Sequence, residues 1–328
     1  MKALAWDIGG ANIKRLLLDS SANAVSSDVF YFPMWQRKAD LEDFLRKKNI
    51  KADIVGVTMT AELCDVFGSK GEGVRYIVGI CEKVFKSPYY LSIDGKLQRK
   101  DEIDDYLALA ASNWAASIKY LEAKYKRGML LDVGSTTTDI VPFGYPELKD
   151  FLRGATDLER LRKGFLVYTG ILRTPVSAIV HRVPLREGFT RVSSEIFAIS
   201  ADVYNVLGLL DHYRCTTPDG GGKTPQDSMR RLARLLCADI GELTEEEIRY
   251  ICDYVYQKQA GDIAEALKEV NEGYGLKKPR VYVCGSGVTL GMRACKIARL
   301  DAVNLAEATD AYDNIPCLGI AEMLIGKV

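Results

Sequence analysis

An aspartate that closes an apolar run, a glycine turn and a second apolar run occur together twice in this chain, about 125 residues apart. The first copy is Asp7-Ile8-Gly9-Gly10-Ala11-Asn12-Ile13-Lys14. The second is Asp132-Val133-Gly134-Ser135-Thr136-Thr137-Thr138-Asp139. Residues 3–8 and 13–18 flank the first turn, and 129–133 and 139–143 flank the second. Two apolar runs around such a turn read as a β-hairpin. A third turn, Gly285-Ser286-Gly287, follows the apolar stretch 280–284 and precedes a helical stretch containing Met292 and Ile297. Each turn ends a strand and leaves backbone N–H groups to face an anion, and small residues let the backbone come close to it. The candidate phosphate-binding residues are therefore Gly9, Gly10, Ala11, Asn12, Gly134, Ser135, Thr136, Thr137, Gly285, Ser286 and Gly287. Asp7 and Asp132 stand where carboxylates hold a hydrated Mg²⁺. Lys14, just beyond the first turn, offers a point charge for phosphate.

Composition removes several classes. The 328 residues allow two domains or one large bilobal fold. With 48% hydrophobic and 27% charged residues, general disorder is excluded. Forty-four basic residues balance 44 acidic ones, so there is no general pull toward nucleic acid or anionic lipid. No apolar run approaches the ~18 residues of a membrane span. The acid at position 7 precedes any h-region and argues against a signal peptide. The eight cysteines include no C-x-x-C pair, and two histidines are too few for a zinc cluster. The expectation is a soluble, reduced, cytoplasmic protein.

Periodicity and turn signals predict strands at 29–32, 53–58 and 89–93. They predict helices at 41–48, 61–67, 73–85, 104–126, 194–210, 228–239, 245–267 and 318–324. Thr244 and Glu247 have capping-box spacing. Gly222-Lys223-Thr224 looks like the end of a P-loop. Thr217 stands where that motif needs glycine, however, and Pro225 counts against a clean helix start. The chain has no flexible linker. The expected division is a lobe over 1–127, a second lobe with an insertion over 128–314, and a terminal helix, 315–328, packing back on the first.

Taken together, the two hairpins and the distal G-S-G turn resemble the actin, heat-shock chaperone and sugar-kinase superfamily over nearly the whole chain. The resemblance implies an α/β, two-lobed actin-like ATPase (ribonuclease H-like) fold with a central phosphate-binding cleft. In that superfamily the hairpins clamp a phosphorylated ligand from opposite lobes, and the third turn lies against adenosine. Further segments narrow the match: Thr58-Met59-Thr60-Ala61-Glu62-Leu63-Cys64-Asp65, Gly71-Glu72-Gly73-Val74, Tyr168-Thr169-Gly170-Ile171-Leu172-Arg173-Thr174-Pro175-Val176, Ser194-Glu195, Ala201-Asp202-Val203-Tyr204 and Asp219-Gly220-Gly221-Gly222-Lys223. This set resembles the hydantoinase/oxoprolinase-like proteins of tetrahydromethanopterin-linked C1 metabolism, and among them the condensing enzymes of methanofuran biosynthesis.

That resemblance implies an ether-forming transferase. It would join an aminomethylfuran-methyl diphosphate to the phenol oxygen of γ-glutamyltyramine and release diphosphate. Mg²⁺ is the expected ion, and ATP is the less favoured ligand. Glu62 is the first candidate base, with Asp65 and Asp139 behind it; Lys14 completes the catalytic set. Arg173 is expected to take the γ-glutamyl carboxylate through its fork, and Glu195 and Asp202 are expected in the pocket. The partners are small molecules, with no nucleic acid and no membrane, and a homodimer is admitted. Two alternatives stay open. One is an ATP-dependent kinase or hydantoinase/oxoprolinase-type hydrolase using the same phosphate clamp. The other is a non-enzymatic nucleotide switch or scaffold.

Overall fold

The computed structural model describes residues 1–148, 154–210 and 212–326. Parts of the segments drawn from sequence, namely 149–153, 211 and 327–328, lie outside the described residues. The chain divides into two compact units. The first comprises Met1–Leu130, Val141–Lys163 and Leu305–Val328, and the second Leu131–Ile140 and Gly164–Asn304. The division drawn from sequence fell instead at 127/128 and 314/315. Among the described residues no helix is long and apolar enough to cross a membrane.

The first unit is built on a six-stranded sheet in the order β3-β2-β1-β4-β5-β6. Its strands are β1 (Ala3–Gly9), β2 (Asn12–Leu18), β3 (Ala24–Tyr31), β4 (Ile54–Thr60), β5 (Tyr89–Leu91) and β6 (Leu97–Gln98). The antiparallel pairing of β1 with β2 runs from Ala3 opposite Leu18 to Ile8 opposite Ile13. β4 lies parallel on the other side of β1, with Asp7 beside Thr58. Every residue of β1 is buried, so apart from Asp7 the strand reads as an apolar run and not as an alternation. Its two faces still differ in residue size. Leu4, Trp6 and Ile8 join Val57 and Met59 in one large core with helices Leu41–Lys48 and Lys70–Val84. Ala3, Ala5 and Asp7 share the opposite face with Gly56 and Thr58. Helices Asn113–Tyr125 and Ile315–Leu324 cover that face.

The second unit holds a five-stranded sheet in the order β13-β12-β7-β8-β9, and a separate hairpin of β10 and β11. Here β7 is Gly128–Val133, β8 Thr138–Phe143, β9 Leu166–Val167, β10 Arg182–Leu185, β11 Gly188–Arg191, β12 Val281–Cys284 and β13 Ala302–Asn304. The boundary between the units falls within β7 and β8. The longest helix, Glu245–Gly273, starts at the capping box read from sequence: Thr244 Oγ1 accepts from the Glu247 N–H, and the Glu247 carboxylate accepts from the Thr244 N–H.

Three sequence expectations are corrected. Residues 61–67 form tight turns, not a helix, and the helix that follows begins only where Ser69 caps it. The helix expected over 104–126 is broken. Asp105 caps a short 3₁₀ turn at Tyr106–Leu109, Ala111 takes φ +49°, and the α-helix begins at Asn113. A tertiary bond explains the break, because buried Ser112 shares a 2.7 Å hydrogen bond with Thr58 of β4. Pro225 starts a helix instead of preventing one, since it occupies the first turn after the Thr224 cap, where its missing N–H costs nothing.

Helix Ile315–Leu324 approaches Asn113–Tyr125 so closely that a Cβ on Gly319 would stand 2.3 Å from the Ala116 carbonyl oxygen. Gly319→Ala is therefore expected to cost about 1–3 kcal/mol through overpacking. Equilibrium urea unfolding checks this, and an unchanged midpoint would show that the helix shifts freely.

Candidate active site

Each unit presents its own glycine turn. In the first, Asp7 lies near the end of β1 at 4% exposure, between Lys14 on β2 and Thr58 on β4. On helix Ile315–Leu324 above it, burial and the Asp7 charge push the Cys317 thiol well above its ordinary range, and Lys14 acts the other way. The two charges expected at the phosphate site are thus neighbours. Lys14 is nevertheless engaged within the protein: its Nζ donates to the Asp313 carbonyl at 2.7 Å. The carbonyls of Gly10 and Ala11 accept from Met34 and Phe32 N–H groups, which ties the turn to the end of β3.

Glu62 follows β4 in the turns before helix Lys70–Val84 and is 1% exposed. Neither of its carboxylate oxygens makes a hydrogen bond. Burial raises its pKa from 4.5 to about 8, and Asp157 adds to the rise. The Glu62 and Ala111 backbone dipoles and the Lys70 charge act in the opposite direction without forming a hydrogen bond to the carboxyl. A carboxyl held like this is neutral at pH 7 and becomes a comparatively strong base once it loses its proton. Asp65, its expected understudy, is exposed. Asp139 is buried within β8 of the other unit, opposite Leu166 of β9.

In the second unit β7 ends at Asp132 and Val133, and the third turn is brought to the same place. The Gly287 N–H donates to the Val133 carbonyl, and a Cβ on Gly285 (φ +86°) would lie 2.3 Å from Asp132 Oδ1. Only glycine lets this backbone pass so near the carboxylate. Ser286 is exposed at the tip. Segment 169–174 lies along the second turn. Its Gly170 backbone presses on residues 134–136, where a Cβ would come within 2.5 Å of the Thr136 nitrogen. Arg173 Nη1 lies 3.4 Å from Thr136 Oγ1, so the guanidinium expected at a substrate carboxylate is placed at a candidate phosphate turn.

Two expected pocket residues are placed differently. Glu195 is exposed. Asp202 is fully buried: it caps its own helix, Ser200–Val206, by accepting from the Ile199 N–H, and its Oδ1 takes two hydrogen bonds from Arg231, at 2.9 and 2.7 Å. Arg231 also reaches Asp219 and the Gly222 carbonyl, so the pair anchors the glycine-rich loop. Asp202, expected in the pocket, thus lies in a buried ion pair with Arg231. Gln259, 1% exposed on the long helix, was missed altogether. Its signal was a polar residue inside the i+4 stripe Ile251, Val255, Gln259, Ile263.

Among the described residues no group of three His, Cys, Asp or Glu side chains could hold a metal ion. A site here would fit an ion that draws most of its ligands from phosphate oxygens and water, as Mg²⁺ does.

A family model described as hydantoinase/oxoprolinase matches residues 53–309. The chain is 36% identical over 99% of its length to a protein of Methanocaldococcus jannaschii named (4-{4-[2-(gamma-L-glutamylamino)ethyl]phenoxymethyl}furan-2-yl)methanamine synthase, 96% of which it spans. A protein of the same name from Methanococcus vannielii is 37% identical over 49% of this chain and 72% of its own length. Among solved structures, a nucleotide-free acetone carboxylase aligns with a TM-score of 0.57 at 10% identity, over 97% of this chain and 70% of its own. At that identity the likeness is one of fold alone.

The burial of Glu62 has a sign that stability measurements can read. Between about pH 4.5 and 8 the folded protein keeps a proton that the unfolded chain has lost, so this residue makes stability fall as pH rises through that window. Gln at position 62 does not titrate. Glu62→Gln is expected to raise the melting temperature by a few degrees at pH 8 and by much less at pH 5. An equal effect at both pH values would show that the carboxyl is not held neutral.

Proposed function

The chain belongs to the hydantoinase/oxoprolinase family, and from that premise we propose that it is a transferase of methanofuran biosynthesis. The reaction joins the methylene carbon of an aminomethylfuran-methyl diphosphate to the phenol oxygen of γ-glutamyltyramine. One C–O bond forms, the C–O bond to diphosphate breaks, and the phenol proton passes to a base. The observation that carries this reading is the full-length likeness to the M. jannaschii synthase, whose name describes a phenoxymethylfuran ether bearing a glutamylamino group. The fold supports it, since this chain's own glycine turns stand at strand ends, where backbone N–H groups suit an anion.

The residues suit the chemistry. An electron-rich furan stabilises positive charge on its methylene carbon, so the costly part is charge growing on the departing diphosphate. The amides and hydroxyls at 135–137 are donors for that charge, the Gly134 N–H being spent on the Thr137 carbonyl. Asp7 and Asp132 are each assigned to Mg²⁺, which supplies charge neutralisation on the diphosphate when bound. The phenol has an ordinary pKa of about 10. Glu62, at about 8, is far better matched to it than a carboxyl at 4.5. Glu62 is therefore assigned as the group that takes the phenol proton.

The reading is tested with Mg²⁺, the furanmethyl diphosphate and γ-glutamyltyramine, without ATP. One ether and one diphosphate per turnover are expected by mass spectrometry; no ether, with ATP hydrolysed in a parallel tube, sinks the assignment. Wild-type kcat/KM should rise with pH through about 8, as Glu62 loses its proton. Glu62→Gln should lower kcat by roughly 10²- to 10⁴-fold and abolish that limb. A limb that survives the substitution would assign the base elsewhere.

A further inference from the structure

Lys14 spends its Nζ on the Asp313 carbonyl, and the second glycine turn has a cation of its own. The Arg173 N–H donates to the Ser135 carbonyl at 3.0 Å, and its guanidinium reaches Thr136 Oγ1. Two more bonds tie the same segment to the turn, from the Ile171 N–H to the Gly134 carbonyl and from the Leu172 N–H to the Ser135 carbonyl. Both ends of Arg173, backbone and side chain, are thus referenced to the residues read as phosphate donors.

The segment is fixed from behind as well. The Gly170 carbonyl accepts from Gln259 Nε2 at 2.9 Å, from Ser200 Oγ at 2.9 Å and from Thr174 Oγ1 at 3.1 Å. Gln259 Nε2 also donates to Thr169 Oγ1, and its Oε1 accepts from the Tyr204 hydroxyl at 2.7 Å. The Thr138 hydroxyl, at the start of β8, donates to the Thr169 carbonyl. Every polar atom of Gln259 is used inside a core where an apolar side chain would be simpler to bury. Such a fully satisfied network fixes geometry. Here the geometry it fixes is the position of 169–174 against the turn.

A second cation shares the neighbourhood. Burial pushes the Cys215 thiol up to about 11, and the charges of both Lys223 and Arg173 act on it in the opposite direction. Lys223 belongs to the glycine-rich loop that Arg231 anchors.

We infer that Arg173 is a ligand of the diphosphate group, seated on the second glycine turn by the segment 169–174, which Gln259 holds in place as a positioning residue. The inference rests on the proposed transferase reading for the identity of the anion. A planar fork beside the Thr136 hydroxyl suits two oxygens of one phosphoryl group. It replaces the expectation that Arg173 binds the γ-glutamyl carboxylate.

Calorimetric titration of inorganic diphosphate with Mg²⁺, and separately of γ-glutamyltyramine, tests this on the wild type, Arg173→Gln, Arg173→Lys and Gln259→Met. Arg173→Gln should weaken diphosphate binding about 10- to 100-fold, the weight of one or two charge-assisted bonds. Arg173→Lys, which keeps the charge and loses the fork, should fall between it and the wild type and guards against a folding artefact. In Gln259→Met the KM for the furan diphosphate should rise while that for γ-glutamyltyramine holds, a split that mere loss of stability would not produce. Unchanged diphosphate affinity in Arg173→Gln, with γ-glutamyltyramine binding lost, overturns the inference in favour of the carboxylate. A wild type that makes the ether yet shows no affinity for diphosphate also overturns it, and leaves the transferase reading standing. A wild type that binds diphosphate in an Arg173-dependent way and makes no ether removes that reading, and keeps Arg173 as a diphosphate ligand.

Discussion

Helix Ile315–Leu324 can lie against β1 because the strand face beneath it offers almost no side chains. Ala3, Ala5 and Gly56 line that face beside Asp7 and Thr58, a Cβ on Gly56 would stand 2.5 Å from Ile320, and Gly319 lets the same helix close on Ala116 of its neighbour. Much of the first unit follows from this closeness. It puts Cys317 over Asp7, brings the Asp313 carbonyl within reach of Lys14, and lets Asn314 Nδ2 donate to the Arg15 carbonyl. Larger residues on either surface would lift the helix and loosen all three. The opposite face follows the usual rule, with Trp6, Ile8, Val57 and Met59 in a core of ordinary bulk.

The buried polar groups divide by whether their partners are present. Asp202 and Arg231 satisfy each other and spend their remaining capacity on a loop. Gln259 is fully used within its network. Glu62 contrasts with both, a carboxyl at 1% exposure with no hydrogen bond to either oxygen. A protein gains nothing in stability from such a group, since burial without compensation costs free energy and moves the proton equilibrium instead. That asymmetry is the physical reason to treat Glu62 as a reacting group and Asp202 as scaffolding. Both are acids in short segments after an apolar stretch, and only their surroundings separate them.

The hairpins and the capping box at Thr244 were legible because their signals are local: a glycine turn between apolar runs, and a side chain bonding three residues away. The break at Ala111 was not, because it depends on Ser112 finding Thr58, 54 residues distant. Periodicity alone favoured one continuous helix there. The site residues behaved in the same way. Asp7 and Asp132 are fixed by strand ends and fell where the sequence put them, beside the turns. Arg173, Asp202 and Lys14 were recognisable as charged residues near motifs, but their partners come from segments 29 to 299 residues away. Charge can be read from a sequence, whereas the partner that consumes it has to be seen.

The first unit is assembled from three separate stretches, the last of which supplies the cover for β1 and β4. During synthesis, about 200 residues separate the appearance of helix Asn113–Tyr125 from that of its partner, a wait of roughly 10–40 s at 5–20 residues per second. Until then the face carrying Asp7 and Thr58 has only one of its two helices, and Lys14 lacks the carbonyl it will bond. The nascent chain therefore carries a half-finished apolar surface throughout that interval. Because that surface is lined by alanine and glycine, it presents little for another chain to grip while it waits.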